Sequence, residues 1–332
     1  MNGYPAQMVA AVKIEGIMRK RICYVFVSFW CALALSQSAA AQSDEWKSLM
    51  QEAGTLYRQG KYDRAALVVK KALELAEREL GPEHPGVATM LNNLAELYRA
   101  QGHYAAAAPL YKRSLAILEK ALGPEHPDVA TSLNNLAGLY QAQGQYAAAE
   151  PLYKDSLAIR EKALGPEHPD IAQSLNNLAE LYRAQGHNAA AAPLYKRSLA
   201  ILEKALGPEH PTVATMLNNL AELYRAQGHY AAAAPLYKRS LAIREKALGP
   251  EHPDVAGSLN NLAALYRAQG HYAAAEPLYK RSLAILEKAL GPEHPDVATS
   301  LENISELYTK MGKTDEAKPF AERAAKIRAL KR

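Results

Sequence analysis

An acid and a histidine recur together in the segment Gly-Pro-Glu-His-Pro, which begins at Gly81 and returns every 42 residues. The later copies begin at Gly123, Gly165, Gly207, Gly249 and Gly291. A glutamate beside a histidine could serve general acid–base chemistry or hold a metal ion. Successive histidines are a whole repeat apart, however, on the order of 10 Å or more at helix-packing distances, and zinc holds its nitrogen ligands at about 2.0–2.1 Å. We therefore interpret the segment as a connection between larger elements.

The residues of this segment suit a boundary between two helices. Gly123 is typical of the left-handed position just past a helix end, and Pro124 prevents the helix from continuing. The proline after His126 restricts that histidine to extended conformations. Pro127 suits the first turn of the next helix, where an N–H is not needed, and Asp128 favours the positive helix start.

Between two such segments, the unit from Gly123 to Leu164 contains two amphipathic patterns. The apolar residues of the first pattern recur at the helical spacing i, i+3, i+4, i+7: Leu133, Leu136, Ala137 and Tyr140. A Gln-Gly-Gln break at 143–145 separates it from a second run that begins at Tyr146. The unit therefore predicts two helices of about 16 to 18 residues, each about 25 Å long.

A helix pair cannot bury its apolar faces by itself, so stacked copies share one continuous core. The spacing Leu91-x-x-Leu94-Ala95-x-x-Tyr98, followed by Gly102, Tyr104, Ala107 and Tyr111, resembles the tetratricopeptide repeat. The 42-residue period and the Leu-Asn-Asn-Leu-Ala motif resemble the kinesin light chain subgroup of that family. The resemblance covers residues 44–332 and implies an all-α, right-handed solenoid of stacked helix-turn-helix repeats.

The periodicity predicts four parts of the chain. Residues 1–41 form a signal peptide with a possible start at Met18, residues 42–80 an atypical repeat, residues 81–290 five near-identical repeats, and residues 291–332 a capping repeat. Within a repeat we expect small residues such as Ala95 and Ala107 to let helices approach closely. The larger ones fill the core, as listed for one repeat: Leu94, Tyr98, Leu110 and Tyr111.

The first 41 residues differ in composition from the rest. A basic cluster at Met18–Arg21 precedes an apolar run from Ile22 to Ser36, and three alanines end at Ala41. This order is typical of a secretory signal peptide, and the run is short for a membrane span of about 20 residues. We expect cleavage after Ala41 and an exported protein, periplasmic or secreted; the alternative is a membrane anchor that is not cleaved.

Composition limits the possible functions further. Both cysteines, Cys23 and Cys31, lie in the leader, so the mature chain has neither disulfides nor cysteine–metal sites. Removing the leader lowers the net charge from +5 to +2, which gives no argument for nucleic acid binding. We find no catalytic motif and expect neither an enzyme, nor a cofactor, nor stable membrane insertion after cleavage.

The candidate site is the polar stripe of each first helix, opposite the apolar residues, which stacking would align along a concave wall. The asparagine rows are Asn92, Asn134, Asn176, Asn218 and Asn260, followed by Asn93, Asn135, Asn177, Asn219, Asn261 and Asn303. An arginine row contains Arg99, Arg183, Arg225 and Arg267. Asparagine is a poor residue for a helix interior, so paired asparagines at this position suggest a purpose.

The family resemblance implies that these asparagines hold the backbone of an extended peptide, with Asn93 and its equivalents as the best match. The arginines would add a preference for acidic residues, partly offset by Glu180 and Glu222. Alternatively, near-identical repeats copy every residue, useful or not. We expect an interaction scaffold with an unidentified protein or peptide partner; a self-associating structural solenoid and an accessory subunit of an envelope or secretion complex are the alternatives. Replacing the asparagines by alanine is expected to leave stability unchanged or slightly higher, because alanine is the better helix former.

The leader prediction can be tested on the protein recovered from the envelope fraction of producing cells. Terminal sequencing should begin at Gln42, because the alanines before it fit a cleavage site. A recovered protein that retains Ile22 to Ser36 would contradict cleavage and favour the anchor.

Overall fold

The computed structural model describes residues 45–330, which fold into fourteen α-helices and no strand. The predicted all-α fold of helix pairs is thereby confirmed. The predicted leader, residues 1–41, lies outside the described residues.

The described residues divide into two compact units, 45–207 and 208–330. The first unit contains α1 (Glu45–Arg58), α2 (Tyr62–Leu80), α3 (Pro85–Ala100), α4 (Tyr104–Leu122), α5 (Pro127–Ala142), α6 (Tyr146–Leu164), α7 (Pro169–Ala184) and α8 (Asn188–Leu206). The second contains α9 (Pro211–Ala226), α10 (Tyr230–Leu248), α11 (Pro253–Ala268), α12 (Tyr272–Leu290), α13 (Pro295–Lys310) and α14 (Thr314–Ala329). Within each unit, consecutive helices pack against each other, and so do successive odd-numbered helices from α3 onward. The odd-numbered helices are the first helices of the predicted pairs.

Each first helix after α1 begins at the second proline of the repeated segment, and the histidine before it caps the helix. The backbone of that histidine is extended, with ψ between 139° and 142°, as the following proline requires. Its Nδ1 accepts a hydrogen bond of 3.0–3.2 Å from the backbone N–H two residues later. The bond occurs at His84, His126, His168, His210, His252 and His294. The sequence predicted the conformation of the histidine but not its role as the cap.

The glutamate of the segment lies on the surface. In the second repeat, Glu83 pairs with Lys120 at 3.0 Å, and both side chains are mostly exposed. An exposed pair of this kind contributes little to stability, about 0–1 kcal/mol. The acid and the histidine therefore have separate structural roles.

The glycine of the segment differs in one respect from the expected left-handed helix end. Its φ is positive, between 83° and 90°, but its ψ is 152–156° rather than the value of about +47° of the left-handed helical region. The proline that follows explains the difference, because it requires an extended ψ of the residue before it. This region of backbone space is open essentially to glycine only. Gly123 still donates its N–H to the carbonyl of Glu119 at 3.0 Å and ends α4.

The core of each repeat is built on a close approach of its two helices. Ala95 of α3 and Ala107 of α4 are fully buried, as is Tyr111, and these residues form one cluster with Leu136 and Leu139 of the next repeat. Leu94 is buried as predicted. The expectation that Tyr98 and Leu110 fill the core is only partly met, since both are half-buried at the edge of this cluster.

A buried serine ties the second helix of a repeat to the first. Ser114 of α4 donates its hydroxyl to the carbonyl of Ala88 in α3 at 2.7 Å. Equivalent bonds of 2.7–2.9 Å are made by Ser156, Ser198, Ser240 and Ser282. Each satisfies a buried polar group that would otherwise destabilise the core.

In most of the described repeats, an arginine of the second helix forms an ion pair with a glutamate of the preceding repeat. Arg197 of α8 pairs with Glu161 of α6 at 2.6 Å and donates to the carbonyl of Pro166 at 3.2 Å. The same contact to the segment's first proline is made by Arg113, Arg239, Arg281 and Arg323. Asp155 stands at this position in α6, so the junction between α4 and α6 lacks the arginine.

The histidine cap predicts a specific loss of stability. Changing His168→Ala should lower the free energy of unfolding by about 0.5–2 kcal/mol, because the N–H of Asp170 loses its acceptor. His187 is a matched control, since it occupies the same position before α8 but makes no side-chain cap bond. Urea denaturation of both variants is the measurement. Equal losses for His168→Ala and His187→Ala would contradict the capping role.

The missing arginine predicts a stabilising substitution. Asp155→Arg should raise the free energy of unfolding by about 0.5–1 kcal/mol, because the new guanidinium would lie at the spacing from Glu119 and Pro124 that Arg197 has from its own partners. The reverse change, Arg197→Asp, should lower it by a similar amount. Urea midpoints at low and high salt measure both effects. An unchanged midpoint for Asp155→Arg at low salt would refute this account of the junction.

Candidate protein-interaction face

The predicted site residues lie on one side of the first helices, which we call the first-helix face. In α3 it comprises Thr89, Asn92, Asn93, Glu96 and Arg99, with equivalents in α5 and α7 of the first unit and in α9, α11 and α13 of the second. Packing of the opposite side fixes its orientation, because the adjacent apolar residues are buried. The face is only partly exposed, so its side chains have few conformations to lose on binding.

The asparagines of neighbouring repeats are hydrogen-bonded to one another. Nδ2 of Asn135 donates to Oδ1 of Asn92 at 3.0 Å, and Nδ2 of Asn177 donates to Oδ1 of Asn134 at 2.8 Å. The second unit has the same arrangement at 2.8 Å, from Asn261 to Asn218 and from Asn303 to Asn260. We call each such pair a rung. The rungs connect consecutive first helices, so the asparagines contribute to the stacking of repeats.

The rungs change the expected effect of alanine substitutions on stability. Removing a rung loses a hydrogen bond worth about 0.5–1.5 kcal/mol, whereas the better helix propensity of alanine returns at most about 0.7 kcal/mol. The difference between these two terms predicts that replacing a rung asparagine by alanine lowers the free energy of unfolding modestly. The sequence could not show this, because a rung joins residues 43 positions apart.

The rungs do not exhaust the hydrogen-bonding capacity of the carboxamides. Each carboxamide has two N–H donors and two acceptor lone pairs. A rung is a single hydrogen bond, so it uses one donor of one asparagine and one lone pair of the other. Four asparagines are at most 8% exposed: Asn93, Asn134, Asn135 and Asn176. The remaining seven are half-buried: Asn92, Asn177, Asn218, Asn219, Asn260, Asn261 and Asn303. The face therefore presents fixed amide groups at its surface.

The arginine row is balanced by carboxylates. Nε of Arg99 donates to Glu96 at 2.9 Å, and the buried hydroxyl of Tyr111 donates to the same carboxylate at 2.7 Å. Arg183 and Arg225 pair in the same way with Glu180 and Glu222, each at 2.7 Å. The hydroxyls of Tyr195 and Tyr237 complete these two clusters. Arg267 instead pairs at 2.6 Å with Glu306 of the next repeat.

These clusters shift the pKa values of their members. Burial opposes the charge of Arg99, but Glu96 outweighs it and raises the pKa of the guanidinium. Burial, reinforced by Glu96, also raises the pKa of Tyr111 well above its usual range. The positive charge of the row is thus fixed and largely neutralised, so these arginines offer less preference for an acidic partner than the sequence suggested.

Two of the five near-identical repeats depart from the cluster. In α5, Gly138 and Gln141 replace the glutamate and arginine, and Tyr153 donates its hydroxyl to Gln141 at 2.9 Å. In α11, Ala264 replaces the glutamate, and the buried hydroxyl of Tyr279 has no hydrogen-bond partner. Burial raises the pKa of Tyr279 to about 12. A signal for the cluster was present in the sequence, since glutamate and arginine three residues apart lie one helical turn apart.

The histidines of the repeated segment do not converge on one site. Among residues 45–330, no group of three or more His, Cys, Asp or Glu side chains is placed to hold a metal ion. Within the same range, no helix combines the length and the apolar character needed to cross a membrane.

Stacked helix pairs with a polar face along their first helices define an α-helical repeat protein. The sequence profile of the tetratricopeptide repeat matches residues 47–120, 109–162, 128–204, 191–246, 212–288 and 254–329. The chain belongs to the tetratricopeptide repeat family. Repeats of this family generally serve as protein-interaction scaffolds.

Solved structures include relatives of the kinesin light chain type. BtubC (BKLC) from P. vanneervenii is 27% identical with a TM-score of 0.59 and covers 69% of this chain and 91% of its own. A Podosopora anserina protein of the kinesin light chain type, with nearly identical TPR-like repeats, is 35% identical with a TM-score of 0.56. The match spans 63% of this chain and 99% of the Podosopora anserina chain. The apo form of RapI shares the fold at 17% identity, with a TM-score of 0.64 over 86% of this chain and 98% of its own. A comparison with curated proteins found no match to this chain.

Proposed function

We propose that this protein is an interaction scaffold that binds an extended segment of a partner protein on the first-helix face. The observation that carries the proposal is the set of rungs, which hold carboxamides in fixed positions while leaving donors and acceptors over. Membership of a family of interaction scaffolds supports it.

An extended peptide is the ligand that suits such a face. Its backbone offers N–H and C=O groups along its whole length, and a carboxamide can pair with both. Because a rung already holds its two carboxamides in place, those side chains lose little entropy when the peptide binds. The main chain would supply affinity irrespective of sequence, as in other modes of peptide recognition.

Because the charges of the face are paired, we expect it to select peptides by their shape more than by their charge. Glu96, Glu180 and Glu222 neutralise the arginines beside them, so the pairs contribute little net field. Breaking such a pair to bind a partner would leave a poorly solvated charge, which is costly. The arginine–glutamate clusters would therefore support the face as a rigid structure and would not form hydrogen bonds to the peptide.

We place this scaffold outside the cytoplasm. The basic, apolar and alanine-rich order of residues 1–41 supports export. A retained apolar segment would instead tether the same scaffold to a membrane surface.

The proposal predicts that asparagine substitutions weaken peptide binding. A display library of random 12-residue peptides would be selected on the wild-type protein, and recovered peptides titrated against wild type and a double variant of two half-buried rung residues, Asn92→Ala and Asn177→Ala. We expect affinity to fall by about 5- to 150-fold, since two hydrogen bonds of about 0.5–1.5 kcal/mol are lost. Isothermal titration calorimetry gives the affinities.

A matched control separates binding from stability. The double variant Ser156→Ala, Ser198→Ala removes two buried hydrogen bonds away from the face and should lower the urea midpoint while leaving peptide affinity unchanged. Equal affinity of the wild type and the asparagine variant for every recovered peptide would refute binding at the rungs.

A further inference from the structure

One arginine of the first unit differs from all those of the face. Arg160 lies in the second half of α6, where α4 and α8 have Leu118 and Leu202. It is only 9% exposed. Its guanidinium donates to the hydroxyl of Ser174 at 2.8 Å and to that of Thr131 at 3.1 Å. Both partners are neutral, whereas Arg99 and Arg183 each hold a carboxylate.

The charge of Arg160 is poorly compensated. Burial lowers the pKa of its guanidinium, and Asp170 offsets this only in part. The Asp170 side chain is itself 65% exposed, so water screens its charge. A guanidinium nevertheless stays protonated in proteins. The first unit therefore contains a buried positive charge bonded only to hydroxyl groups.

This charge lies between two first helices, next to a rung. Thr131 precedes Asn134 by about one turn of α5, and Ser174 precedes Asn177 by about one turn of α7. Asn134 and Asn177 form the rung of this junction. Since Thr131 is an equivalent of Thr89, the guanidinium reaches from the second-helix layer to the first-helix face.

Packing does not require an arginine here. At the preceding junction the same two positions are Leu118 and Ser132, and the buried Ser132 hydroxyl has no partner. The chain therefore already tolerates leucine opposite serine in this environment. Arg244 of the second unit repeats the arrangement, with bonds of 2.7 Å to Ser258 and 3.3 Å to Thr215.

We propose that Arg160 forms an acid-recognition subsite, which binds an aspartate or glutamate side chain of a peptide held on the first-helix face. The inference rests on the proposed function and assigns its chemical selectivity. Two of the five N–H donors of the guanidinium are bonded to Ser174 and Thr131, and the others remain for a carboxylate. The hydrogen bonds to the two hydroxyls hold the guanidinium in place. Its buried position strengthens its electrostatic attraction to a carboxylate of the ligand. Selectivity would thus come from a residue of the second helix rather than from the balanced arginine row.

The test compares two proteins with one probe. Because Arg244 repeats the arrangement, both arginines are replaced together. A display library of random 12-residue peptides is selected in parallel on wild type and on the double variant Arg160→Leu, Arg244→Leu, which places the leucine of α4 and α8 at both positions. Wild type should enrich aspartate or glutamate at one fixed position of the recovered peptides, and the double variant should not. A recovered peptide and its Asp→Asn or Glu→Gln counterpart should differ in affinity about tenfold or more on wild type. On the double variant the two affinities should be within about twofold of each other.

A reciprocal variant guards against a folding defect. Leu118→Arg introduces the guanidinium one repeat earlier, where Ser132 and Thr89 can accept its hydrogen bonds. It should create a second acidic position in the recovered peptides. Circular dichroism and urea denaturation verify that both variants are folded.

The outcomes distinguish the two proposals. Recovered peptides that depend on the rungs but show no acidic position on wild type would overturn the subsite and leave the scaffold intact. Retention of no peptide by wild type would overturn both. An unfolded Arg160→Leu, Arg244→Leu variant would make the arginines a structural requirement and overturn the subsite. A folded Leu118→Arg variant without a new acidic position would also refute it.

Discussion

Burial of apolar surface between neighbouring helices is the interaction on which all other features of this protein depend. Ala95, Ala107 and Tyr111 are fully buried only because Leu136 and Leu139 of the following repeat complete their cluster. A helix pair in isolation would expose this surface to water. The histidine caps, serine ties and arginine fasteners act on an arrangement that hydrophobic burial has already brought together.

The polar residues of the first-helix face consequently have a structural role besides the recognition role that we propose. Residues such as Asn92 and Asn135 lie where first helices of successive repeats meet, so they bond to each other before they can meet a ligand. The arginine–glutamate–tyrosine clusters similarly satisfy buried groups within a repeat. Arg160 is the exception in the first unit, because hydroxyl groups satisfy its geometry but not its charge. In the proposed function, structural and recognition roles coexist on one surface, and Arg160 is the position where recognition depends on an unbalanced charge.

The sequence predicted those features that depend on neighbouring residues. Helical spacing such as Leu133 to Tyr140, and the glycine and proline boundaries, arise within a few positions and were recognised directly. The rungs, the bond from Tyr111 to Glu96 and the contact of Arg197 with Pro166 join residues 15 to 43 positions apart. These contacts could be identified only from the stacked arrangement of the repeats in the structure. Arg160 escaped notice because it stands in a charged stretch, Arg-Glu-Lys, that is typical of a solvated surface. The extended ψ of Gly123 was also missed, although the proline after it was a sufficient reason.

The short reach of these contacts bears on how the chain acquires its structure. Hydrogen bonds such as Asn135 to Asn92 and Asn303 to Asn260 span 43 residues, so no more than one repeat must be ordered before the next contact forms. Little loop-closure entropy is then lost before native contacts are gained, and proteins dominated by such near contacts fold quickly. Nucleation can begin at any well-fastened junction and spread to its neighbours. We expect folding to propagate most slowly across the junction at Asp155, because this junction lacks the arginine. The order in which the repeats fold would then depend on a single side chain.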